Sequence, residues 1–325
     1  MMFEKYEKAG KIAAKVRNQA AKKITAGMKV SELVDFVENS ILETGAGLSF
    51  PCNISINEMA AHYTSNPGDD TLFCEGDIVK IDLGAEVDGY ISDTAITVIV
   101  EGDNKEPFDD EGNLLKMPGR LDNGNPIVTE EELQERYNII EASSLALQNA
   151  ISIIREGTSL QEIGETVQNT IEEKGYTPVS DLAGHSLEQY NLHAGLTIPN
   201  VKSNAPYQLQ EGDHIAVEPF ATNGVGLISD VPECYIYSYI QYQKLKPDAK
   251  KLLRKIREET PYFPFSQRRF INEYEPHKLN TLFNQMSRSG AIYAYNALKE
   301  KENGMVAQTE HTLIVEKDGC HITTL

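Results

Sequence analysis

Five residues offer the clearest chemistry in this 325-residue chain: Asp82, Asp93, His185, Glu218 and Glu310. Four carboxylates and one imidazole make a set of hard oxygen ligands with one borderline nitrogen. Such a set suits Mn, Fe, Co or Zn and serves copper(I) or iron–sulfur chemistry poorly. Asp82 and Asp93 lie in IVKIDLGAEVDGYISDTAITV, which reads as two strands joined through an Asp88-Gly89 turn. With those two residues as the loop, Val87 pairs with Tyr90 and Asp82 lies opposite Ala95, two residues from Asp93. The two carboxylates then share a face as diagonal neighbours, roughly 7–8 Å apart at the backbone. A solvent-facing pair near a turn satisfies the same count equally well. His185 and His193 stand eight residues apart in GHSLEQYNLHAG, between glycines that permit close approach of a ligand to the backbone. Glu218 follows the apolar run HIAV, and Glu310 opens EHTLIV.

The elements that must position these residues are written twice. GMKVSELVDFVENSILETG (27–45) and GTSLQEIGETVQNTIEEKG (157–175) have the same length and match at Glu32/Glu162, Val37/Val167, Asn39/Asn169, Ile41/Ile171 and Glu43/Glu173. Each reads as an amphipathic helix with a serine near its start and a glycine at the left-handed C-cap. Downstream, EGDIVKID places Asp82 seven residues after Glu75, and EGDHIAVE places Glu218 seven after Glu211. His62 and His193 also fall at about the same offset. A helix-and-strand unit duplicated about a pseudo-two-fold axis brings both sets to one central cleft.

Two stretches fall outside the repeat. Residues 101–130, rich in Gly, Pro, Asn and Asp, read as an exposed loop insertion. Residues 233–301 carry the helical patterns PDAKKLLRKIREE and HKLNTLFNQMSRSG and the strand-like AIYAYNAL, a compact helical, winged-helix-like insert. The expected division is therefore a catalytic unit of residues 1–232 and 302–325 with an insert subdomain at 233–301. The fold class is α+β, with helices and antiparallel strands in both halves.

Bulk composition narrows the setting. A net charge of −19 argues for a well-solvated exterior and against specific nucleic-acid binding. Cys52, Cys74, Cys234 and Cys320 are scattered with no CxxC pair, which fits a reducing compartment. No run approaches the roughly 20 apolar residues of a membrane span, and the charged N-terminus is unlike a signal peptide. The expectation is a cytoplasmic protein with no membrane partner.

AAHYT (60–64), KIDLG with ISDTA, GHSLEQYNLHAG, AVEPF and EHT, taken in order, resemble the methionine aminopeptidases and cover nearly the whole chain apart from 101–130. The wide interval between Glu218 and Glu310 resembles the type 2 branch, and the lack of a long charged N-terminal extension resembles its archaeal members. The resemblance implies the pita-bread fold and removal of the initiator methionine from nascent proteins, with small second residues preferred. It also implies two divalent ions activating a hydroxide that attacks the first peptide bond. Asp82 would chelate one ion, His185 and Glu218 the other, and Asp93 and Glu310 would bridge both. Glu218 would shuttle the proton. His62 and His193 would contact the substrate near the scissile amide, while Phe50, Leu192 and Tyr295 would line the methionine pocket. One departure is Ser65, where relatives commonly carry proline. The implied partners are N-terminal peptides, with ribosome docking open, and the implied state is a monomer. Two rival readings remain: a prolidase or aminopeptidase P, whose members carry a sizeable extra N-terminal domain, and a non-enzymatic binding relative, whose members lose the metal ligands.

Overall fold

A computed structural model describes residues 2–101 and 128–325. The expected 101–130 loop lies almost wholly outside the described residues. Helices α1 (Met2–Lys23) and α2 (Val30–Leu42) lead into β1 (Gly47–Ile56), β2 (Met59–Ala61), β3 (Ile78–Val87) and β4 (Tyr90–Ile99). A second pair, α3 (Glu130–Ile153) and α4 (Leu160–Glu173), leads into β5 (Thr177–Pro178), β6 (Ala183–Ser186), β7 (Thr197–Pro199), β8 (His214–Val217) and β9 (Phe220–Thr222). Then come β10 (Ile228–Tyr239), α5 (Pro247–Glu259), β11 (Phe265–Ser266), α6 (Pro276–Arg288) and β12 (Ile292–Glu300). The chain ends through β13 (Val306–Gln308), β14 (His311–Val315) and β15 (Cys320–Ile322). The architecture is α+β, and all pairings between the named strands are antiparallel.

The repeated sequence units become α2 and α4. Gly45 and Gly175 adopt left-handed φ values of 81° and 84° just past the two helices, the backbone that a C-cap glycine permits. Their starts differ. Ser159 is the N-cap of α4 and forms a capping box with Glu162. Ser31 lies inside α2, whose N-cap Lys29 makes no side-chain cap. Each helix pair covers its own apolar core. Val30, Leu33, Val37 and Ile41 of α2 pack with Ile54, Val79 and Ile81 in one half. Ile163, Val167 and Ile171 of α4 pack with Ile215, Val217 and Leu313 in the other.

The halves are sewn together where β4 meets the start of β14. Glu310 N–H donates to Ala95 O at 3.0 Å, Thr94 Oγ1 to Glu310 O at 2.9 Å and Thr312 Oγ1 to Asp93 O at 2.6 Å. Behind this seam the buried Arg17 of α1 donates to Thr94 Oγ1 at 2.5 Å and to Thr324 O at 3.3 Å. One helix thus grips β4 directly and β14 through Thr324, whose Oγ1 accepts from Thr312 N–H.

The insert grows out of the catalytic unit. Strand β10 runs across residue 233 and pairs with β12, which ends at Glu300, in a sheet of order β11-β10-β12-β2 whose last strand belongs to the first half. Tyr237 and Ile292 on one face of this sheet pack with Leu252, Leu253 and Ile256 of α5 and Leu279 and Phe283 of α6. Ile236 and Tyr295, on the alternate face, look toward a central cavity.

His214 on β8 is stacked on Tyr6 with ring centroids 3.7 Å apart. Neither of its ring nitrogens has a hydrogen-bond partner among the described residues. Burial, with a further contribution from His185, pushes this imidazole down to about 3. Between its unfolded value near 6.5 and that folded value the unfolded chain binds the extra proton. Stability from the neutral ring is therefore complete above about pH 6.5 and falls on acidification, by roughly 2 kcal/mol at pH 5. Urea unfolding of His214→Phe at pH 7 and pH 5 is expected to show a pH difference smaller than wild type by about that amount.

Candidate functional site

The β3–β4 hairpin has the register counted from its turn: Val87 pairs with Tyr90, Asp82 with Ala95, and Gly84 with Asp93. Asp88 and Gly89 hold φ values of 53° and 84°, the positive pair that a two-residue turn of this kind requires. Asp82 and Asp93 consequently face one side. From the other half come His185 on β6, Glu218 immediately after β8, and Glu310 immediately before β14. All five line the same cavity.

The ligand atoms of Asp93, His185 and Glu310 lie within 4.8 Å of one another, and His185 Nε2 stands 3.5 Å from Asp93 Oδ2. Burial and then the Asp93 charge hold Asp82, Glu218 and Glu310 well above the usual carboxylate range. Burial pushes Asp93 up to about 7 and His185 down to about 4. Asp82 Oδ1, Asp93 Oδ1, Glu310 Oε1 and His185 Nδ1 are buried without a hydrogen-bond partner among the described residues. Buried carboxylate oxygens left unpaired are costly unless a cation answers them. This donor set fits divalent metal, and Asp93, His185 and Glu310 form a candidate site for one.

Two further polar residues complete the cluster. Gln308 Nε2 donates to Glu218 Oε2 at 3.1 Å and to Glu310 Oε2 at 3.4 Å. Asn53 Nδ2 reaches Asp82 Oδ2 at 3.5 Å. Gln308 was open to inference, standing two residues before Glu310. Asn53 was not, because β1 slips register between Leu48 and Phe50 and again between Phe50 and Asn53. Counting along that strand therefore mis-assigns its faces.

His62 sits just after β2 with φ of 63°, a left-handed backbone uncommon for a non-glycine residue and frequent at functional sites. Its Nδ1 lies 3.2 Å from Asn296 O. A carbonyl can only accept, so Nδ1 carries the proton and Nε2 keeps a free lone pair. Burial lowers this imidazole, keeping it neutral. His193 packs on His185 with centroids 4.3 Å apart, and burial with the neighbouring His185 pushes it down to about 4. Ser65 is fully buried, its hydroxyl turned to Asn66 O.

One end of the cavity is apolar. Phe50 and Leu192 join Ile91, Leu187 and Ala216, with Phe263 packed against them. Pro264, Ile236 and Tyr295 add a wall from the insert, with the Tyr295 ring 5.8 Å from that of His62. Phe263 and Pro264 belong to a connecting loop with no periodic pattern, and nothing local in the sequence marks them as pocket residues. The loop is anchored by Arg268, which pairs with Asp35 of α2. One turn further along, Glu38 accepts the Cys52 N–H at 3.2 Å, immediately behind Asn53.

Metallopeptidase family M24 matches residues 4–317. The chain is similar to the methionine aminopeptidase of Methanothermobacter thermautotrophicus, 46% identical over 324 residues and covering 99% of each chain. It is also similar to that of Pyrococcus horikoshii, 41% identical over 326 residues and covering 100% of each. In structure it superposes on methionine aminopeptidase from Rickettsia prowazekii with a TM-score of 0.64 at 21% identity, covering 100% of this chain and 97% of that one.

Proposed function

The chain belongs to metallopeptidase family M24 and within it to the methionine aminopeptidases, and we propose that it removes the initiator methionine from nascent proteins. The observation that carries this reading is the cavity itself. A cluster of four carboxylates and one imidazole, with Asp93 and Glu310 buried, occupies one side of a cleft whose far end is an apolar slot.

Asp82, Asp93, His185, Glu218 and Glu310 would hold two divalent ions of the Co, Mn, Fe or Zn class. Ions of this kind acidify a water and polarise a carbonyl when bound. Glu218 takes a proton and returns it to the leaving nitrogen, oriented for this by Gln308. His62, protonated on Nδ1, presents the Nε2 lone pair and so accepts from the scissile amide N–H. Stabilisation of developing negative charge is left to His193. The thioether is bound by burial and sulfur–aromatic contact with Phe50, Leu192, Phe263 and Tyr295. Crowding of His62 against Tyr295 favours a small second residue.

Residues 1–232 with 302–325 act as the catalytic unit and 233–301 as an insert that supplies the outer pocket wall. No described helix is long and apolar enough to cross a membrane. The reading is of a monomer acting in the cytoplasm on chains emerging from the ribosome.

The test is a panel of short peptides with added metal. Release of methionine from Met-Ala-Ser with no cleavage of Gly-Pro supports the reading, and the reverse pattern identifies a prolidase. His62→Asn, which tolerates the left-handed backbone, is expected to lower kcat about 100-fold. Its unfolding midpoint should stay near wild type. Near wild-type turnover would remove His62 from the reaction.

A further inference from the structure

Charge in this chain is segregated. Residues 240–290 hold eleven lysines and arginines against five acids, a net of +6, so the rest of a chain at −19 stands at −25. The average hides a basic module on an acidic body. Much of the positive charge gathers along α5. Ala249, Leu252, Leu253 and Ile256 turn into the insert core, which leaves Lys250, Arg254 and Arg257 exposed at helical spacing. Lys246, exposed at the N-cap, extends the row to about 16 Å at 1.5 Å per residue.

Of the seven other cations in 240–290, Lys244, Lys251 and Arg288 lie off the row and four are already answered. Lys255 pairs with Glu259 and Glu273, Lys278 with Asp248, Arg269 with Glu259 and Arg268 with Asp35. The four residues of the row form no ion pair among the described residues, and Glu258 is the one acid of α5 on that side of the helix. Beside the row Tyr242 is 55% exposed, with Lys250 Nζ 5.8 Å above its ring. A row of unanswered cations next to an exposed aromatic face is the combination that tracks a nucleic-acid backbone and stacks a base.

We propose that the outer face of the insert, Lys246, Lys250, Arg254 and Arg257 with Tyr242, docks the protein on the phosphate backbone of structured RNA. The body, at −25, repels the same polyanion and so confines contact to this face. A lipid surface fits less well, because the apolar side of α5 is spent in the insert core and offers nothing to insert. α5 packs on the sheet face that carries Tyr237, whereas the cavity lies on the face of Ile236 and Tyr295. Docking therefore leaves the pocket open, and the proposal stands apart from the peptidase reading.

Anisotropy of a fluorescein-labelled RNA hairpin with the full chain tests it. Binding is expected near micromolar at 50 mM salt, with a log–log salt slope of about −4 for four phosphates. Lys250→Glu/Arg254→Glu/Arg257→Glu is expected to lose about 100-fold in affinity, and Lys250→Gln/Arg254→Gln/Arg257→Gln about 10-fold, each with a shallower slope. Hydrolysis of Met-Ala-Ser by both variants should remain within twofold of wild type. The proposal is overturned if the wild type fails to bind at 50 mM salt or if the triple variants bind as tightly as wild type. It is equally overturned if phosphatidylserine vesicles or an acidic peptide bind as tightly as RNA.

Discussion

Glu218→Gln is expected to abolish release of methionine from Met-Ala-Ser, with kcat down at least about 1,000-fold, while the chain stays folded. The substitution keeps volume and removes charge, so its effect separates chemistry from packing. Gln308 Nε2 now donates to Glu218 Oε2, and a neutral amide oxygen can still accept that bond. What is lost is the group that accepts and returns a proton, together with one of the four anionic donors. Stability of the chelated protein should hold or rise. Glu218 is a partly buried carboxylate pressed by the charges of Asp93 and Asp82, and deleting one of several like charges in a low-dielectric cavity relieves repulsion. Peptide assays and thermal unfolding on the same preparation decide it. Activity within tenfold of wild type would show that Glu218 neither carries the proton nor matters as a ligand.

The part of this site that sequence reveals is the part fixed by local rules. The Asp88-Gly89 turn has two residues and positive φ at both, so it sets the Asp82–Ala95 register without reference to the rest of the chain. The glycines ending α2 and α4 likewise mark the duplication, because each must take a left-handed backbone. Convergence of Asp93 with Glu310 obeys no such rule. It depends on β4 meeting β14 across more than two hundred residues of chain through hydrogen bonds of Thr94 and Thr312, and only the resemblance to known enzymes anticipated it. The wall formed by Pro264, with Phe263 packed on the apolar cluster beside it, is hidden further. Its loop has no periodicity and is placed by an ion pair between Arg268 and Asp35, in segments that no pattern links. The insert's charge was legible but averaged away, since a net of −19 describes no single face.

Divalent ions are expected to raise the unfolding midpoint of the chelated protein by roughly 4 °C for each ion bound and to restore activity that chelation removes. Four carboxylates share this cavity, and the relief within reach among the described residues is limited to Gln308 for Glu218, Glu310 and Asp82, Asn53 for Asp82 and the Thr94 backbone for Asp93. An ion that binds the folded cluster and not the unfolded chain stabilises by RT ln(1 + [L]/Kd), about 2.7 kcal/mol at a hundredfold excess over Kd. Asp93→Asn should cancel most of that shift, because Asp93 stands within ligand distance of both His185 and Glu310. Asp70→Asn, an exposed carboxylate paired with Lys29, should leave the shift intact. Scanning calorimetry with and without metal distinguishes the two, and equilibrium dialysis counts the ions. An equal shift in Asp93→Asn and wild type would place the stabilising ion elsewhere, and saturation at one ion per chain would reduce the centre to a single metal. A shift lost with Asp93 at two ions per chain ties stability and hydrolysis to one cluster. The buried charge that burdens the fold in the absence of metal is then the same charge that binds the ions required for the reaction.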